Sequence, residues 1–87
     1  MASRLKTSKF ESWVMTYGVQ RLSATLTGSG EEYSASWSAV YGWLRGEHAP
    51  RRAKARLMEQ LSGGQVTRAD IQQHTALRRS QGIKHER

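Results

Sequence analysis

The sequence lacks cysteine, contains a single proline, and has no hydrophobic run longer than a few residues. Without cysteine the chain forms neither disulfides nor thiolate metal sites, so nothing in it requires an oxidising compartment. A membrane-spanning helix needs about 20 consecutive apolar residues, and the basic amino-terminal segment lacks the apolar stretch of a signal peptide. The composition therefore predicts a cytoplasmic protein with no membrane partner.

Acidic residues are few relative to basic ones. The chain of 87 residues has 14 Lys and Arg against 7 Asp and Glu, which gives a net charge of +7. Such an excess attracts polyanions, nucleic acid before anionic membrane, although a basic surface also occurs without a polyanionic partner. A domain of this size buries only about 60% of the surface of its unfolded chain, which favours a flat or convex recognition surface over a deep substrate cleft.

Residue patterns typical of catalytic and metal sites are missing. The three histidines share no metal-ligand spacing. Glu31 and Glu32 are adjacent, so on a helix their carboxylates point in different directions and do not form an acid–base pair. Gly63–Gly64 lacks the context of a phosphate-binding loop. The sequence therefore predicts no enzyme, no metal, no cofactor and no small-molecule substrate.

Apolar residues recur at helical spacing, and no stretch alternates as a half-buried strand does. Helices are predicted over 9–17, 19–26, 37–44 and 51–61, with a last turn or short helix from 68. Ser36 is a suitable N-cap for the third helix, although a start near Glu31, capped by Ser29, also fits. The predicted fold class is all-α: a small four- to five-helix domain over 1–76, followed by a basic, flexible tail over 77–87. Residues 1–7 are predicted to form a frayed basic arm.

The third predicted helix has two chemically different faces. Val40, Trp43 and Leu44 form an apolar face, whereas the other face is small or able to form hydrogen bonds. A helix about 10–12 Å across fits a DNA major groove about 12 Å wide, and this division of faces is what a helix-turn-helix recognition helix needs. The candidate DNA-binding residues on or next to it are Ser36, Trp37, Ser38, Tyr41, Gly42 and Arg45. Gly42 is expected to face outward and to let the backbone approach the DNA closely.

Basic residues flanking this helix are candidate phosphate contacts. They are Arg21, Arg51, Arg52 and Lys54. Such contacts supply affinity and salt dependence but little sequence specificity. Structural alternatives stay open: the clustered cations can form a solvated face, Tyr41 can be a surface packing residue, and Trp37 can belong to the core. Phe10, Trp13 and Trp43 are predicted to be core residues.

The segment Ala39–Gly46 and the Pro-containing turn after it resemble the end of the recognition helix in Cro/phage-repressor-type helix-turn-helix proteins. The YdaS-like subgroup carries a V-x-x-W-x-x-G pattern, which here is formed by Val40, Trp43 and Gly46. These proteins often continue into a Gly-x-Val-Thr-x-x-Asp segment, which here occupies 64–70. The resemblance covers about half of the chain.

The connection between the second and third helices departs from that family pattern. Family members join the two helices by a tight turn, whereas Thr27–Ala35 separates them here. Either the turn is expanded, or the third helix is extended at its front by a turn or more.

The resemblance implies a sequence-specific regulator of transcription that binds double-stranded DNA. It would be a Cro-like repressor of phage or mobile-element origin, occluding an inverted-repeat operator as a homodimer. Two other functions stay open from the residues alone. One is an antitoxin or other module that binds a protein partner, with DNA binding secondary; the other is a non-specific or RNA-binding basic module.

Overall fold

The computed structural model describes the backbone of residues 7–85 and the side chains of residues 7–80. Its elements are α1 (Lys9–Tyr17), α2 (Val19–Gly28), a 3₁₀ turn (Glu31–Tyr33), α3 (Trp37–Arg45), α4 (Arg52–Leu61) and α5 (Arg68–His85). All regular structure in this part of the chain is helical, which confirms the all-α class. None of the described helices combines the length and apolar character that a membrane span needs.

Side-chain caps start α1 and α3 at the residues where the sequence predicted these helices to begin. The Ser8 hydroxyl accepts from the Glu11 backbone N–H at 3.0 Å, which caps α1. In the same way the Ser36 hydroxyl accepts from the Ala39 N–H at 3.1 Å and begins α3 at Trp37. Because each cap satisfies a backbone donor that the helix leaves unpaired, these local sequences specify the starts without help from the rest of the fold.

The connection between α2 and α3 is long but fixed. Ala35 is buried, and its carbonyl accepts hydrogen bonds from the Ser23 hydroxyl at 2.7 Å and the Thr27 hydroxyl at 3.3 Å. Ser29 donates to the Thr25 carbonyl and is the C-cap residue of α2, not the N-cap of the third helix. The alternative start of the third helix near Glu31 is therefore wrong, and the expanded turn is the observed solution.

Two predicted helix boundaries also differ from the structure. The second helix ends at Gly28 and not at Leu26. The fourth helix begins at Arg52, with Arg51 as its N-cap residue, so Pro50 precedes the helix and does not occupy its first position. Differences of one or two residues are common at helix ends, because the terminal residues of a helix fray at little cost in free energy.

The core takes side chains from all five helices and from the two connections beside α3 and α5. Its buried hydrophobic members are Phe10, Val14, Leu22, Leu26, Ala35, Val40, Trp43, Ala55, Met58, Val66 and Ile71. Phe10 and Trp43 were predicted correctly, whereas Trp13 is only partly buried and packs at the edge of the core. This core holds α3 by one face and leaves its other face in solvent.

The last helix is much longer than the sequence predicted. It begins at Arg68 but runs for 18 residues, so the expected boundary between 76 and 77 lies inside a continuous helix. Arg78 forms an ion pair with Glu11 of α1, and its side chain packs against Gly46 at the end of α3. These contacts join segments distant in the sequence, so a weak local pattern did not reveal them. The predicted arm lies outside the described residues except for Thr7, and the side chains of 81–87 lie outside them too.

Candidate nucleic-acid interface

Four predicted site residues share one solvent-exposed face of α3. Trp37, Tyr41 and Arg45 follow one another at intervals of four residues, and Ser38 lies beside the first two. Trp37 is 56% exposed and Tyr41 is 40% exposed, while Val40 and Trp43 on the opposite side are buried. We refer to Trp37, Ser38, Tyr41 and Arg45 as the exposed face of α3.

The two aromatic rings on this face contact each other and not the core. The Trp37 and Tyr41 ring centroids are 5.9 Å apart and the rings are almost perpendicular, which is a favourable edge-to-face geometry. The structural alternative that Trp37 belongs to the core is therefore wrong. Together the rings present apolar surface and a phenolic hydroxyl, a combination that suits contact with a thymine methyl group or the sugar–phosphate backbone.

Gly42 does not belong to this face, contrary to the prediction. It is buried, and a Cβ atom at this position would overlap the imidazole ring of His48. The reason is the turn that ends α3, which brings His48 back over the helix. The small size of Gly42 therefore accommodates a side chain of the protein itself and not an approaching DNA backbone.

That turn is a Schellman motif centred on Gly46. Gly46 adopts the left-handed conformation (φ 79°) and donates to the Trp43 carbonyl at 3.1 Å, while the Glu47 N–H donates to the Gly42 carbonyl at 3.0 Å. These are the two backbone bonds that define the motif. The chain direction after α3 is therefore fixed, which places Glu47 next to Arg45.

Arg45 and Glu47 form a two-pronged ion pair at the carboxyl end of the exposed face. Arg45 Nε donates to Glu47 Oε2 at 2.8 Å, and Arg45 Nη2 donates to Oε1 at 3.2 Å. These hydrogen bonds, with the charge of the guanidinium, lower the pKa of Glu47. Each side chain remains 57% exposed. Glu47 was not predicted as a site residue, although the glycine between the two residues was a signal for a chain reversal that could have found it.

The predicted phosphate contacts are distributed over two other elements. Arg21 lies on α2, which packs against α3, and its guanidinium sits 4.5 Å from the centroid of the Tyr17 ring. Arg51 and Arg52 are exposed at the start of α4, whereas Lys54 is half-buried. The structure thus brings four predicted residues together on α3, and places the predicted cations on α2 and at the start of α4.

Arg79 is a further cation near this surface that the sequence did not reveal. Its Nε donates to the Gly46 carbonyl at 3.3 Å, and the side chain is exposed. This contact puts a basic residue of α5 beside the carboxyl end of α3. Only the full length of α5 could have shown it, because the sequence pattern predicted a tail in that region.

Grooves elsewhere on the molecule lie away from the exposed face of α3. One groove of about 700 Å³ runs between the start of α1 and α5, where Lys9, Asp70 and Leu77 are among its lining residues. In the part of the chain that the structure describes, no group of three His, Asp or Glu side chains could hold a metal ion.

Comparisons of the chain with protein-family models, with curated proteins and with solved structures give no match. Function is therefore inferred from the geometry of α3 and its surroundings.

Proposed function

We propose that the protein binds double-stranded DNA sequence-specifically by placing the exposed face of α3 in the major groove, and that it regulates transcription by occupying an operator. The observation that carries the proposal is the division of α3 into two faces. One face is anchored by buried Val40 and Trp43, and the other presents hydroxyl, aromatic and guanidinium groups to solvent. These are the groups that contact base edges and phosphates in major-groove complexes.

The dimensions of α3 fit this use. Its nine residues give a length of about 13 Å, which corresponds to about four base pairs of B-DNA. A single helix of this length specifies too short a sequence for an operator. We therefore include in the proposal a homodimer on an inverted repeat, which doubles the number of base pairs contacted.

Electrostatics supports binding to a polyanion. The net charge is +7, Arg79 lies beside the carboxyl end of α3, and Arg51 and Arg52 are exposed at the start of α4. Each phosphate neutralised by such a residue contributes about −0.9 to the slope of log K against log salt. The proposal therefore includes strong salt dependence in addition to sequence preference.

The packing of α2 against α3 supports a helix-turn-helix arrangement of the Cro-like kind. In such domains the second helix braces the recognition helix across the DNA backbone. Here the longer connection is held to α2 through the hydrogen bonds of Ser23 and Thr27 to Ala35. The brace thus does not depend on a short turn.

One observation favours a protein partner as a second candidate function. Exposed aromatic residues are enriched at protein–protein interfaces, and Trp37 and Tyr41 form an exposed aromatic pair. An antitoxin-like module would use this pair to contact a protein, with DNA binding secondary.

The test is selection from a random library of duplexes, followed by affinity measurement at about 150 mM salt. We expect the selected duplex to bind about 10³-fold or more tightly than a scrambled duplex. Ser38→Ala and Tyr41→Ala should each weaken binding to the selected duplex by about tenfold, because each removes a contact on the exposed face. Gln60→Ala, an exposed change on α4, is the control and should bind as the wild type does. Equal weak binding to all duplexes, unaffected by these changes, would disprove specific recognition and favour the protein-partner candidate.

A further inference from the structure

The ion pair between Arg45 and Glu47 leaves one defined edge of the guanidinium available. Nε and Nη2 hold the two carboxylate oxygens of Glu47. A guanidinium carries five N–H donors in one plane. The carboxylate occupies two of them on the lateral edge, so the edge formed by Nη1 and Nη2 remains directed away from Glu47. That edge is a second two-pronged donor.

The backbone on both sides of the pair is fixed. Arg45 is the last residue of α3, and the N–H of Glu47 is bonded to the Gly42 carbonyl. Between them Gly46 packs so closely against α5 that a Cβ atom would overlap the Arg78 side chain. The two side chains therefore meet through a rigid turn, in contrast to surface ion pairs formed by two mobile chains. Exposed pairs add little to stability, so stability does not explain this geometry.

The net charge of the pair determines which acceptor it suits. A phosphate is attracted mainly by charge, and the carboxylate beside Arg45 cancels that attraction. A guanine edge is uncharged and presents O6 and N7 as a matched pair of acceptors for a two-pronged arginine. In addition, the carboxylate retains lone pairs that can accept from the N4 amino group of cytosine. The pair as a unit is thus complementary to a G·C base pair and poorly suited to a phosphate.

We infer that Arg45 contacts guanine in the DNA major groove and that Glu47 is a positioning residue, which orients Arg45 toward the base and away from the backbone. This inference rests on the proposed function, since it assigns a base contact to the same exposed face. It predicts one G·C pair in each half-site whose identity is specified by Arg45.

The experiment replaces each base pair of the selected duplex in turn and measures affinity for the wild type and for variants. For the wild type, replacing the specified G·C pair with A·T should weaken binding by about tenfold or more. Arg45→Ala should remove this preference at that pair alone and leave preferences at the other positions. Arg45→Lys keeps the charge but lacks the fork, so it should also lose the preference.

Glu47→Ala tests whether Glu47 positions Arg45 toward the base or only contacts it. With the carboxylate removed, Arg45 is able to reach a phosphate. The G·C preference should fall to about threefold or less, affinity for random duplex should rise, and the salt slope should steepen by about 0.9. Glu47→Gln, which keeps the size but not the charge, should shift in the same direction by a smaller amount. Arg52→Ala is the matched control: it should make the salt slope shallower without altering any base preference.

The outcomes distinguish this inference from the proposed function. If a preferred duplex exists but Arg45→Ala weakens all duplexes equally, Arg45 contacts phosphate and the inference is wrong while the function stands. If Glu47→Ala leaves the G·C preference and the salt slope unchanged, the positioning role is wrong. If no duplex is preferred at all, both the function and the inference fail.

Discussion

The two sides of α3 are held in very different ways. On the inner side, α3 meets α1 and α5, and His74 of α5 is buried there with 1% of its surface exposed. Its Nδ1 lies 2.7 Å from the hydroxyl of Ser8, the N-cap of α1, and its Nε2 lies 2.8 Å from the Leu44 carbonyl of α3. On the outer side, Trp37 and Tyr41 contact each other in solvent. The inner side is thus fixed by hydrogen bonds across three helices, whereas the outer side is available to a partner.

The hydrogen bonds of His74 can be assigned from its neighbours. Ser8 Oγ already accepts from the Glu11 N–H, so its hydroxyl hydrogen can donate to His74 Nδ1. The other ring nitrogen then carries hydrogen and donates to the Leu44 carbonyl, one of the acceptors that the end of α3 leaves unpaired. The imidazole ring also contacts Phe10 edge-on, with centroids 5.3 Å apart. One side chain therefore joins the start of α1, the end of α3 and the middle of α5.

From this contrast and the proposed function we expect the inner side of α3 to determine stability and its exposed face to determine DNA recognition. Substitutions in the junction should change the free energy of unfolding and leave the sequence preference of the folded protein intact. Substitutions on the exposed face should do the opposite. Three changes in the framework test this separation, in order of decreasing expected effect.

Gly46→Ala should give the largest loss. A side chain in the left-handed conformation is unfavourable, and the new Cβ atom would overlap Arg78 of α5. We expect the free energy of unfolding to fall by about 3 kcal/mol, measured by urea denaturation. Base preferences of the protein that remains folded should not change.

Gly28→Ala is the matched control for that substitution. Gly28 is the last residue of α2, and nothing lies within 4 Å of a Cβ atom built there. Alanine restricts the unfolded chain without strain in the helix, so stability should rise by about 0.5 kcal/mol. Equal losses at both glycines would show that the Gly46 turn has no special role in the junction.

His74→Phe tests the hydrogen bonds at the centre of the junction. Phenylalanine can retain the ring contact with Phe10 but leaves the Leu44 carbonyl without its donor. We expect a loss of about 2 kcal/mol in the free energy of unfolding, because an unpaired buried polar group is unfavourable. Gln72→Phe places the same ring on an exposed neighbouring position and should change stability by about 0.5 kcal/mol or less. If the two variants are equally stable, the inner side of α3 is held by apolar packing alone.

Asp70→Asn should give the smallest and most pH-dependent effect. Asp70 Oδ2 accepts from the Thr67 N–H at 2.9 Å and from the Thr67 hydroxyl at 3.1 Å, and these bonds lower the pKa of Asp70 below its ordinary value of 3.8. Because the folded-state pKa is the lower one, the carboxylate stabilises the protein above pH 3.8, and this contribution is lost as pH falls through the folded-state value.

The measurement is thermal or urea unfolding of the wild type and Asp70→Asn, in steps from neutral pH to well below pH 3.8. At neutral pH the variant should be less stable by about 1 kcal/mol, because the amide is a weaker cap without charge. The difference should shrink in acid as the wild-type carboxyl becomes protonated. A difference that is constant with pH would mean that the charge of Asp70 does not stabilise the start of α5.

Local features were predictable wherever a few neighbouring residues decide the backbone. The N-caps at Ser8 and Ser36, the reciprocal bonds of Thr67 and Asp70, and the left-handed Gly46 all follow from short segments. The exposed positions of Ser38, Tyr41 and Arg45 follow from helical periodicity once the anchoring side of α3 is known.

Other features depend on contacts between segments far apart in the sequence. Gly42 was expected outside and is buried, because the turn after α3 brings His48 over it. The length of α5 was underestimated because its contacts with Glu11 and Gly46 are tertiary.

By itself the sequence determined an all-helical chain, a strong positive charge, most helix starts, and one helix with an apolar and a polar face. These follow from periodicity and capping, which act over a few residues. Only the tertiary structure decided that His74 is buried between three helices and that α5 continues along the end of α3. Both depend on contacts between segments far apart in the sequence, which local free energies along the chain do not encode.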